Sequence, residues 1–226
     1  MKDLITIGLP SKGRLKEKSI SFFSDIGLKI IQSKKERNYF GTIENKSNVK
    51  IIFLHAKEII QRLGDGTLDI GISGLDLLKE SGKNLQGKIN IQKKLDYGNA
   101  NLVIAVPDDW IDVQTIADLE EISFDIRLKR NTRLRVATKY PNLTNDFLIS
   151  KGVTQYKLIP SLGATETYPF IGSSEIITDI TSTGKTLADN NLRVLKDGLM
   201  LNSRACLFIA KKKAAKLQPF LKSLGR

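Results

Sequence analysis

The chain has 226 residues, a formal net charge of +12 and 41% hydrophobic residues. This composition excludes a disordered chain, and the length allows one large domain or two small ones, each able to bury a core. A single cysteine excludes an internal disulfide, a single histidine excludes a histidine-based metal site, and no apolar stretch is long enough to span a membrane.

Strand and helix patterns alternate through the first part of the chain. The segment Met1–Pro10 has neither the apolar run nor the cleavage site of a signal peptide, so we expect a cytoplasmic protein whose first strand is Leu4–Leu9. A helix follows and ends at Gly27, because glycine suits the position after a helix. The other elements predicted here are strands at Val49–Leu54 and Leu68–Ile72 and helices through Glu58–Leu63 and Leu75–Leu78.

A second alternating series begins after Asp96–Asn99. Pro141 suits the first turn of a helix that we expect to end at Ser150, because its missing N–H costs nothing there. The predicted strands are Ala100–Pro107, Arg133–Thr138, Tyr156–Ile159, Glu175–Thr181, Leu192–Leu195 and Ala205–Ala210. A lysine-rich helix follows at the C-terminus, and Pro219 should kink it or start it afresh.

Two such series predict an α/β protein with two lobes and a crevice between them. We expect lobe I to contain residues 1–98 plus 191–226, and lobe II to contain residues 99–190. Phosphate sites in sheets of this kind lie beyond the carboxyl ends of the strands. The turns that follow strands are therefore the first places to look for a site.

The strongest candidate site follows the strand Glu175–Thr181. The turn there combines small hydroxyl residues with one glycine and one lysine: Thr181, Ser182, Thr183, Gly184, Lys185 and Thr186. Such a turn frees backbone N–H groups for a phosphate, and Asp179 at the end of the strand can hold the hydroxyls of a sugar. We therefore predict a phosphorylated ribose as the ligand, the alternative being an ordinary turn.

Two other turns between a strand and a helix carry candidate residues. In the first, Gly13 allows close backbone approach while Lys12 and Arg14 can grip a polyphosphate. The alternative for this turn is a solvated basic loop. In the second, Gly74 and Asp76 follow another strand and form the same kind of crevice-facing element, although they are also consistent with the start of a helix.

Four further residues stay open or are expected to be structural. Arg37 lies in a polar stretch and is equally consistent with solvation and with binding of a leaving pyrophosphate. Asp69 is either a buried hydrogen-bonded acid or a residue that faces the crevice. We expect His55 to be structural and Cys206, which lies in an apolar run, to be a buried thiol.

Basic residues are dense from Arg127 to Lys139, where six of thirteen positions are Lys or Arg. The net positive charge calls for an anionic partner, which includes nucleic acid among the options. No RNP motif and no set of stacking aromatic residues accompanies this run. We therefore expect a solvated or subunit-facing surface, with neither nucleic acid nor membrane as a partner.

Glu166–Leu187 matches, position by position, the signature of the ATP phosphoribosyltransferases. Three more segments resemble the same family in the expected order: Leu9–Leu15, Asp69–Asp76 and Arg135–Asn142. The chain is similar to the short form of the family. The resemblance implies two lobes like those of type II periplasmic binding proteins, with mixed sheets and a central crevice.

The same resemblance implies the reaction, in which N1 of the adenine of ATP attacks C1 of phosphoribosyl pyrophosphate in the first step of histidine biosynthesis. It implies Mg²⁺ carried by the pyrophosphate rather than by protein side chains. It also implies a homodimer within a hetero-octamer that contains a regulatory subunit related to histidyl-tRNA synthetase. The alternative is a non-catalytic module of the same fold that binds small anions.

Site roles also follow from the resemblance. Residues 181–186 would bind the 5-phosphate, and Asp179 with Glu166 the ribose hydroxyls. The polyphosphate would contact Lys12, Gly13 and Arg14, and the nucleotide pocket would include Gly74 and Asp76. Arg37 would offset charge on the leaving group. A displacement of this kind needs positioning and charge neutralisation, and it needs no nucleophilic side chain.

Overall fold

The computed structural model describes residues 4–32 and 39–223, and the chain divides into two compact units. Unit 1 contains Met1–Gly98 with Arg204–Arg226, and unit 2 contains Asn99–Ser203. Within the described residues, no helix has the length and apolar character needed to cross a membrane.

The elements alternate as the sequence pattern predicts. The first ten are β1 (Ile5–Pro10), α1 (Gly13–Asp25), β2 (Ile30–Gln32), β3 (Phe40–Ile43), β4 (Lys46–Leu54), α2 (Ala56–Asp65), β5 (Ile70–Gly74), α3 (Leu75–Glu80), α4 (Lys83–Gln86) and β6 (Ile89–Lys94). Unit 2 adds β7 (Ala100–Pro107), α5 (Ile116–Arg130), β8 (Leu134–Thr138), α6 (Pro141–Ser150), β9 (Tyr156–Pro160), β10 (Ile176–Thr181), α7 (Lys185–Asp189) and β11 (Leu192–Ser203). The chain then returns to unit 1 with β12 (Ala205–Ala210) and α8 (Ala214–Ser223).

Unit 1 is built on one mixed sheet with the strand order β2-β3-β4-β1-β5-β12-β6. β1 lies parallel between β4 and β5, while β12 runs antiparallel to β5. Ile7, Ile51 and Ile70 in the parallel strands are fully buried, as expected for strands that helices cover on both faces. Because β1, β4 and β5 are parallel, the turns that follow them lie at the same edge of the sheet.

Unit 2 is built on a second mixed sheet with the strand order β11-β7-β10-β8-β9. β10 lies between β7, to which it is antiparallel, and β8, to which it is parallel. Ile104, Val136 and Ile176 are fully buried in the core of this unit. The carboxyl ends of β8 and β10 therefore lie at one edge of the sheet, and the end of β7 lies at the opposite edge.

Several predicted elements agree with the structure to the residue, among them the strand Ala205–Ala210 and the helix Pro141–Ser150. The predicted strand Leu192–Leu195 continues to Ser203, because β11 pairs with β7 as far as Ala100. Residues 191–203, which the sequence assigns to lobe I, therefore lie in unit 2. At the C-terminus, α8 continues through Pro219 without a new start.

Of the two alternatives for Asp69, the structure supports the buried hydrogen-bonded acid. The residue is 1% exposed, and its Oδ2 accepts hydrogen bonds from the Thr6 N–H (2.7 Å) and the Thr6 hydroxyl (2.8 Å). Its Oδ1 lies 2.8 Å from Lys213 Nζ, just before α8. Burial raises the pKa of Asp69, but the hydrogen bonds from Lys213 and Thr6 outweigh burial and hold the pKa below its ordinary value. The pair thus ties the C-terminal segment to β1.

We expect Asp69→Ala to lower the free energy of unfolding by about 2 kcal/mol at neutral pH, because it removes the buried acceptor of the Thr6 N–H and hydroxyl as well as the partner of Lys213. A carboxylate with a lowered pKa stabilises the fold above its unfolded pKa, and that stability is lost as the pH falls through the folded pKa. The difference between variant and parent in urea denaturation should therefore shrink towards acidic pH. Asp25→Ala, which removes an exposed carboxylate of the same unit, should change stability by less than about 0.5 kcal/mol. An equally small effect at Asp69 would contradict the structural role.

Candidate functional site

The turn after β10 has a defined backbone shape. The Gly184 N–H donates to Thr181 Oγ1 (2.8 Å), and the Lys185 N–H donates to Thr183 Oγ1 (3.3 Å). Gly184 has φ +74°, which lies in the left-handed region that favours glycine. A Cβ atom at this position would meet no other atom within 4 Å, so open space lies above the turn. We call residues 181–186 the 181–186 turn.

Two backbone amides at the start of α7 lie before its first intrahelical hydrogen bond. The first intrahelical hydrogen bond of α7 is donated by the Ala188 N–H to the Gly184 carbonyl (3.0 Å), so the Thr186 and Leu187 amides precede the helical ladder. Ser182 and Thr183 are exposed, whereas Leu187 is buried and anchors the turn to the core. The turn therefore presents polar backbone and hydroxyl groups to solvent from a fixed base.

Glu166 acts electrostatically on Asp179, which lies thirteen positions further along the chain. Glu166 lies in a 3-10 turn, Thr165–Thr167, that contacts β10. Burial raises the pKa of Asp179 above its ordinary value and Glu166 raises it further, while the Ile180 N–H and Lys139 oppose the rise. Unit 2 thus brings Glu166 into the electrostatic environment of Asp179, which lies in β10 just before the 181–186 turn.

Three buried threonine hydroxyls lie beneath this region. Thr138 of β8, Thr144 of α6 and Thr178 of β10 are at most 2% exposed, and their Oγ1 atoms form a mutually hydrogen-bonded cluster. Thr138 Oγ1 also accepts the Tyr140 N–H (2.9 Å). The cluster joins two strands to a helix at the carboxyl edge of the sheet.

In unit 1, Lys12, Gly13 and Arg14 lie where β1 ends and α1 begins. Lys12 precedes α1 with an extended backbone (φ −155°), and Gly13 has φ +71°. All three residues are exposed, and the first turn of α1 contains no acidic residue. The turn therefore combines two cations with the unpaired amides of a helix start, an arrangement that attracts anions.

Gly74 and Asp76 lie at the same edge of unit 1, where β5 passes into α3. Gly74 precedes the helix, and a Cβ atom there would be 2.2 Å from Asp76 Oδ1. Asp76 is 6% exposed. The absence of a side chain at Gly74 thus allows the Asp76 carboxylate to fold back against the backbone. Arg37, the remaining predicted site residue, lies outside the described residues.

Sequence reasoning missed Lys139, whose Nζ lies 4.0 Å from Asp179 Oδ1. It was counted in the basic run from Arg127 to Lys139, but several members of that run have carboxylate partners. Lys129 pairs with Asp125 and Arg135 with Glu175. The available signal was position, because Lys139 directly follows a strand.

His55 and Cys206 have the structural places that the sequence predicts. His55 precedes α2, and its Nδ1 accepts the Lys57 N–H (3.3 Å). Cys206 is buried in β12, and burial raises the pKa of its thiol, so the unreactive protonated form is favoured.

Unit 2 also contains a cavity of about 650 Å³ lined by Trp110, Arg135 and Glu175. Arg135 and Glu175 lie at the start of β8 and just before β10, and Trp110 follows β7. Topology therefore places this cavity at the edge of the sheet opposite to the 181–186 turn. It is separate from the residues that the sequence singles out.

Comparison with known proteins gives consistent results. The family model described as HisG, ATP phosphoribosyltransferase, matches residues 55–225. An ATP phosphoribosyltransferase from Brucella melitensis is 44% identical over 209 residues, which are 92% of this chain and 90% of that protein. The chain is therefore about as long as this relative.

Solved structures agree with the sequence matches. A chain of the HisG:HisZ ATP phosphoribosyl transferase complex from Thermotoga maritima superposes with a TM-score of 0.74 at 25% identity, covering 98% of this chain and 96% of that chain. A probable amino-acid ABC transporter extracellular-binding protein from Bacillus subtilis superposes with a TM-score of 0.51 at 14% identity, covering 99% and 92%. The second match concerns the fold alone, and it confirms the two-lobed architecture expected from the sequence.

Proposed function

We propose that unit 2 of this chain binds the phosphoribosyl group and that unit 1 binds polyphosphate and nucleotide. The chain belongs to the ATP phosphoribosyltransferase family, the pentosyltransferases that carry out the first step of histidine biosynthesis. In this reaction N1 of the adenine of ATP forms a bond to C1 of the ribose. The bond from C1 to the pyrophosphate oxygen breaks, so the products are N1-(5-phosphoribosyl)-ATP and pyrophosphate.

The observation that carries the proposal is the 181–186 turn next to two carboxyl groups. A 5-phosphate needs several N–H and O–H donors around one point, which the exposed amides and hydroxyls of the turn supply. Two neighbouring ribose hydroxyls need two acceptors, which the carboxylates of Asp179 and Glu166 supply.

Unit 1 would neutralise the charge that develops on the leaving group. Lys12 and Arg14 are exposed cations at the start of α1, and Gly13 between them allows a phosphate to approach the backbone. Gly74 and Asp76 lie at the same edge of the unit and would line the nucleotide pocket. The sequence adds Arg37 to the leaving-group side on the basis of family resemblance.

Mg²⁺ belongs to this proposal as an ion that the pyrophosphate carries. Among the described residues, no three His, Cys, Asp or Glu side chains are grouped so that they could hold a metal ion. Mg²⁺ prefers phosphate oxygens and water to an all-protein site, and it would supply charge neutralisation at the pyrophosphate. The chain's own share of that neutralisation is assigned to Lys12 and Arg14.

We also propose that the protein works in the cytoplasm as a homodimer within a hetero-octamer, together with a histidyl-tRNA-synthetase-like regulatory subunit. The similarity to a chain of the HisG:HisZ complex supports a partner of that kind. The regulatory subunit would not contribute to the phosphoribosyl site, whose proposed groups all lie in unit 2.

The deciding experiment is an assay with ATP, phosphoribosyl pyrophosphate and Mg²⁺, run with and without the regulatory subunit. We expect equal amounts of phosphoribosyl-ATP and pyrophosphate in at least one of the two conditions. Binding of phosphoribosyl pyrophosphate without product in either condition would favour the non-catalytic anion-binding module. Tight, steeply salt-dependent binding of RNA with no binding of the sugar would favour a nucleic-acid function instead.

A further inference from the structure

Lys139 faces the proposed ribose-binding carboxylate from the neighbouring strand. β8 and β10 are parallel, and Thr138 is the register partner of Thr178. The residues that follow this pair are Lys139 and Asp179, and the Lys139 Nζ lies 4.0 Å from Asp179 Oδ1. Their side chains are 36% and 14% exposed, so the pair is partly shielded from solvent.

The backbone on both sides of Lys139 is held in place. Thr138 before it belongs to the buried hydroxyl cluster with Thr144 and Thr178. Tyr140 after it donates its N–H to the Thr138 hydroxyl (2.9 Å). Because the cluster also includes a residue of β10, it fixes the start of the lysine side chain relative to Asp179.

The charges around Asp179 require a cation at this place. Glu166 acts on Asp179 from the 3-10 turn, and the register partner of Asp179 on β7 is the neutral Val103. Burial and Glu166 both favour the protonated form of Asp179, while the Ile180 N–H and Lys139 favour the carboxylate. A protonated carboxyl group accepts hydrogen bonds from ribose hydroxyls less well than a carboxylate does.

We propose that Lys139 is a positioning residue of the phosphoribosyl site, whose ammonium group holds Asp179 as an oriented carboxylate that can accept the ribose hydroxyls. This inference rests on the proposed function, because it takes Asp179 as a ribose-binding group. It assigns to Lys139 a role that acts through Asp179 and involves no reacting atom.

The test is calorimetric titration of the full chain with phosphoribosyl pyrophosphate and Mg²⁺ at several pH values between about 6 and 8.5. In Lys139→Met, only the Ile180 N–H still opposes burial and Glu166, so protonation of Asp179 at a given pH increases. We expect the affinity of this variant, relative to the parent, to weaken progressively as the pH is lowered and to approach that of the parent towards the alkaline end. Lys139→Arg keeps the charge and should follow the parent within about threefold at each pH.

Lys157→Met is the matched control, since Lys157 is an exposed lysine in the same sheet, paired in register with Arg135 far from the 181–186 turn. It should bind like the parent at every pH. A loss in Lys139→Met that is the same at all pH values, or no loss at all, would overturn the inference.

Asp179→Asn separates this inference from the function on which it rests. If Asp179→Asn binds the sugar as the parent does, Asp179 is not the ribose ligand and both proposals for this residue fail. If Asp179→Asn loses binding while Lys139→Met matches the parent, only the role of Lys139 fails. If both hold, adding Lys139→Met to Asp179→Asn should cause no further pH-dependent loss, because the group that titrates is gone.

Discussion

Gly184→Val should weaken the binding of phosphoribosyl pyrophosphate by about 100-fold or more, the loss expected when two charge-assisted hydrogen bonds from backbone amides to a phosphate are removed. Gly184 has φ +74°, a conformation that a β-branched residue avoids. The valine side chain would also project into the open space above the turn, where the phosphate is proposed to bind. Calorimetric titration with the sugar diphosphate and Mg²⁺ measures the effect.

Gly152→Val is the matched control for that variant. Gly152 has φ +84°, and a Cβ atom there also meets nothing within 4 Å, so the backbone strain and the steric freedom are those of Gly184. It follows α6 at the end of that helix remote from the carboxyl edge of the sheet. Both variants should lose about 1–2 kcal/mol of stability through strain, but only Gly184→Val should lose ligand affinity. Parent-like binding by Gly184→Val would reject the turn as the phosphate site.

The turn was predictable because its signals are local. A buried strand followed directly by hydroxyl residues and a glycine is visible in a short window, and Asp179 precedes the turn in the same strand. The structure places that turn, with its left-handed glycine, at the expected end of β10. By contrast, Glu166 entered the site only through family resemblance, because its proximity to Asp179 depends on a 3-10 turn that no periodic pattern announces.

Contacts between distant segments account for what sequence reasoning missed. Lys139 lies near Asp179 because β8 pairs with β10. No single segment of the sequence shows the register of that pairing. Asp69 was ambiguous because its partner Lys213 comes from the far end of the chain. Burial of a charged group is decided by its partner, so an isolated acid in an apolar run cannot be assigned from its neighbours alone.

The sequence patterns of α5 and of the second half of β11 explain why these two, among the parts of the fold that the sequence did not predict, were missed. α5 has apolar residues on its exposed side as well as its buried side, since Phe124 and Leu128 are 42% and 79% exposed. This removes the one-sided periodicity by which a surface helix is recognised. The second half of β11 contains Asp197 and Gly198, and its register with β7 shifts between Val194 and Leu199. An irregular ladder of this kind breaks the alternation that predicts a strand, so the strand was predicted only as far as Leu195.

Arg14→Ala should lower kcat/KM by about 100-fold, the loss typical of removing one preorganised group that stabilises developing negative charge. Its guanidinium is exposed at the start of α1, where a leaving pyrophosphate would meet both this cation and the unpaired amides of the first turn. The variant should keep the stability of the parent, because the side chain of an exposed loop-proximal residue rarely carries stability. Steady-state kinetics in both substrates and thermal unfolding measure the two quantities.

Lys18→Ala controls for the change in overall charge. Lys18 is exposed on the same helix, one turn further from the N-terminus, so its removal lowers the net charge equally without touching the helix start. We expect its kcat/KM to stay within about twofold of the parent, as for an exposed charge that meets no substrate. If Arg14→Ala and Lys18→Ala lose the same small amount, the effect belongs to the general positive field of the protein. Arg14 would then have no specific contact with the leaving group, and the polyphosphate site would have to be sought elsewhere in unit 1.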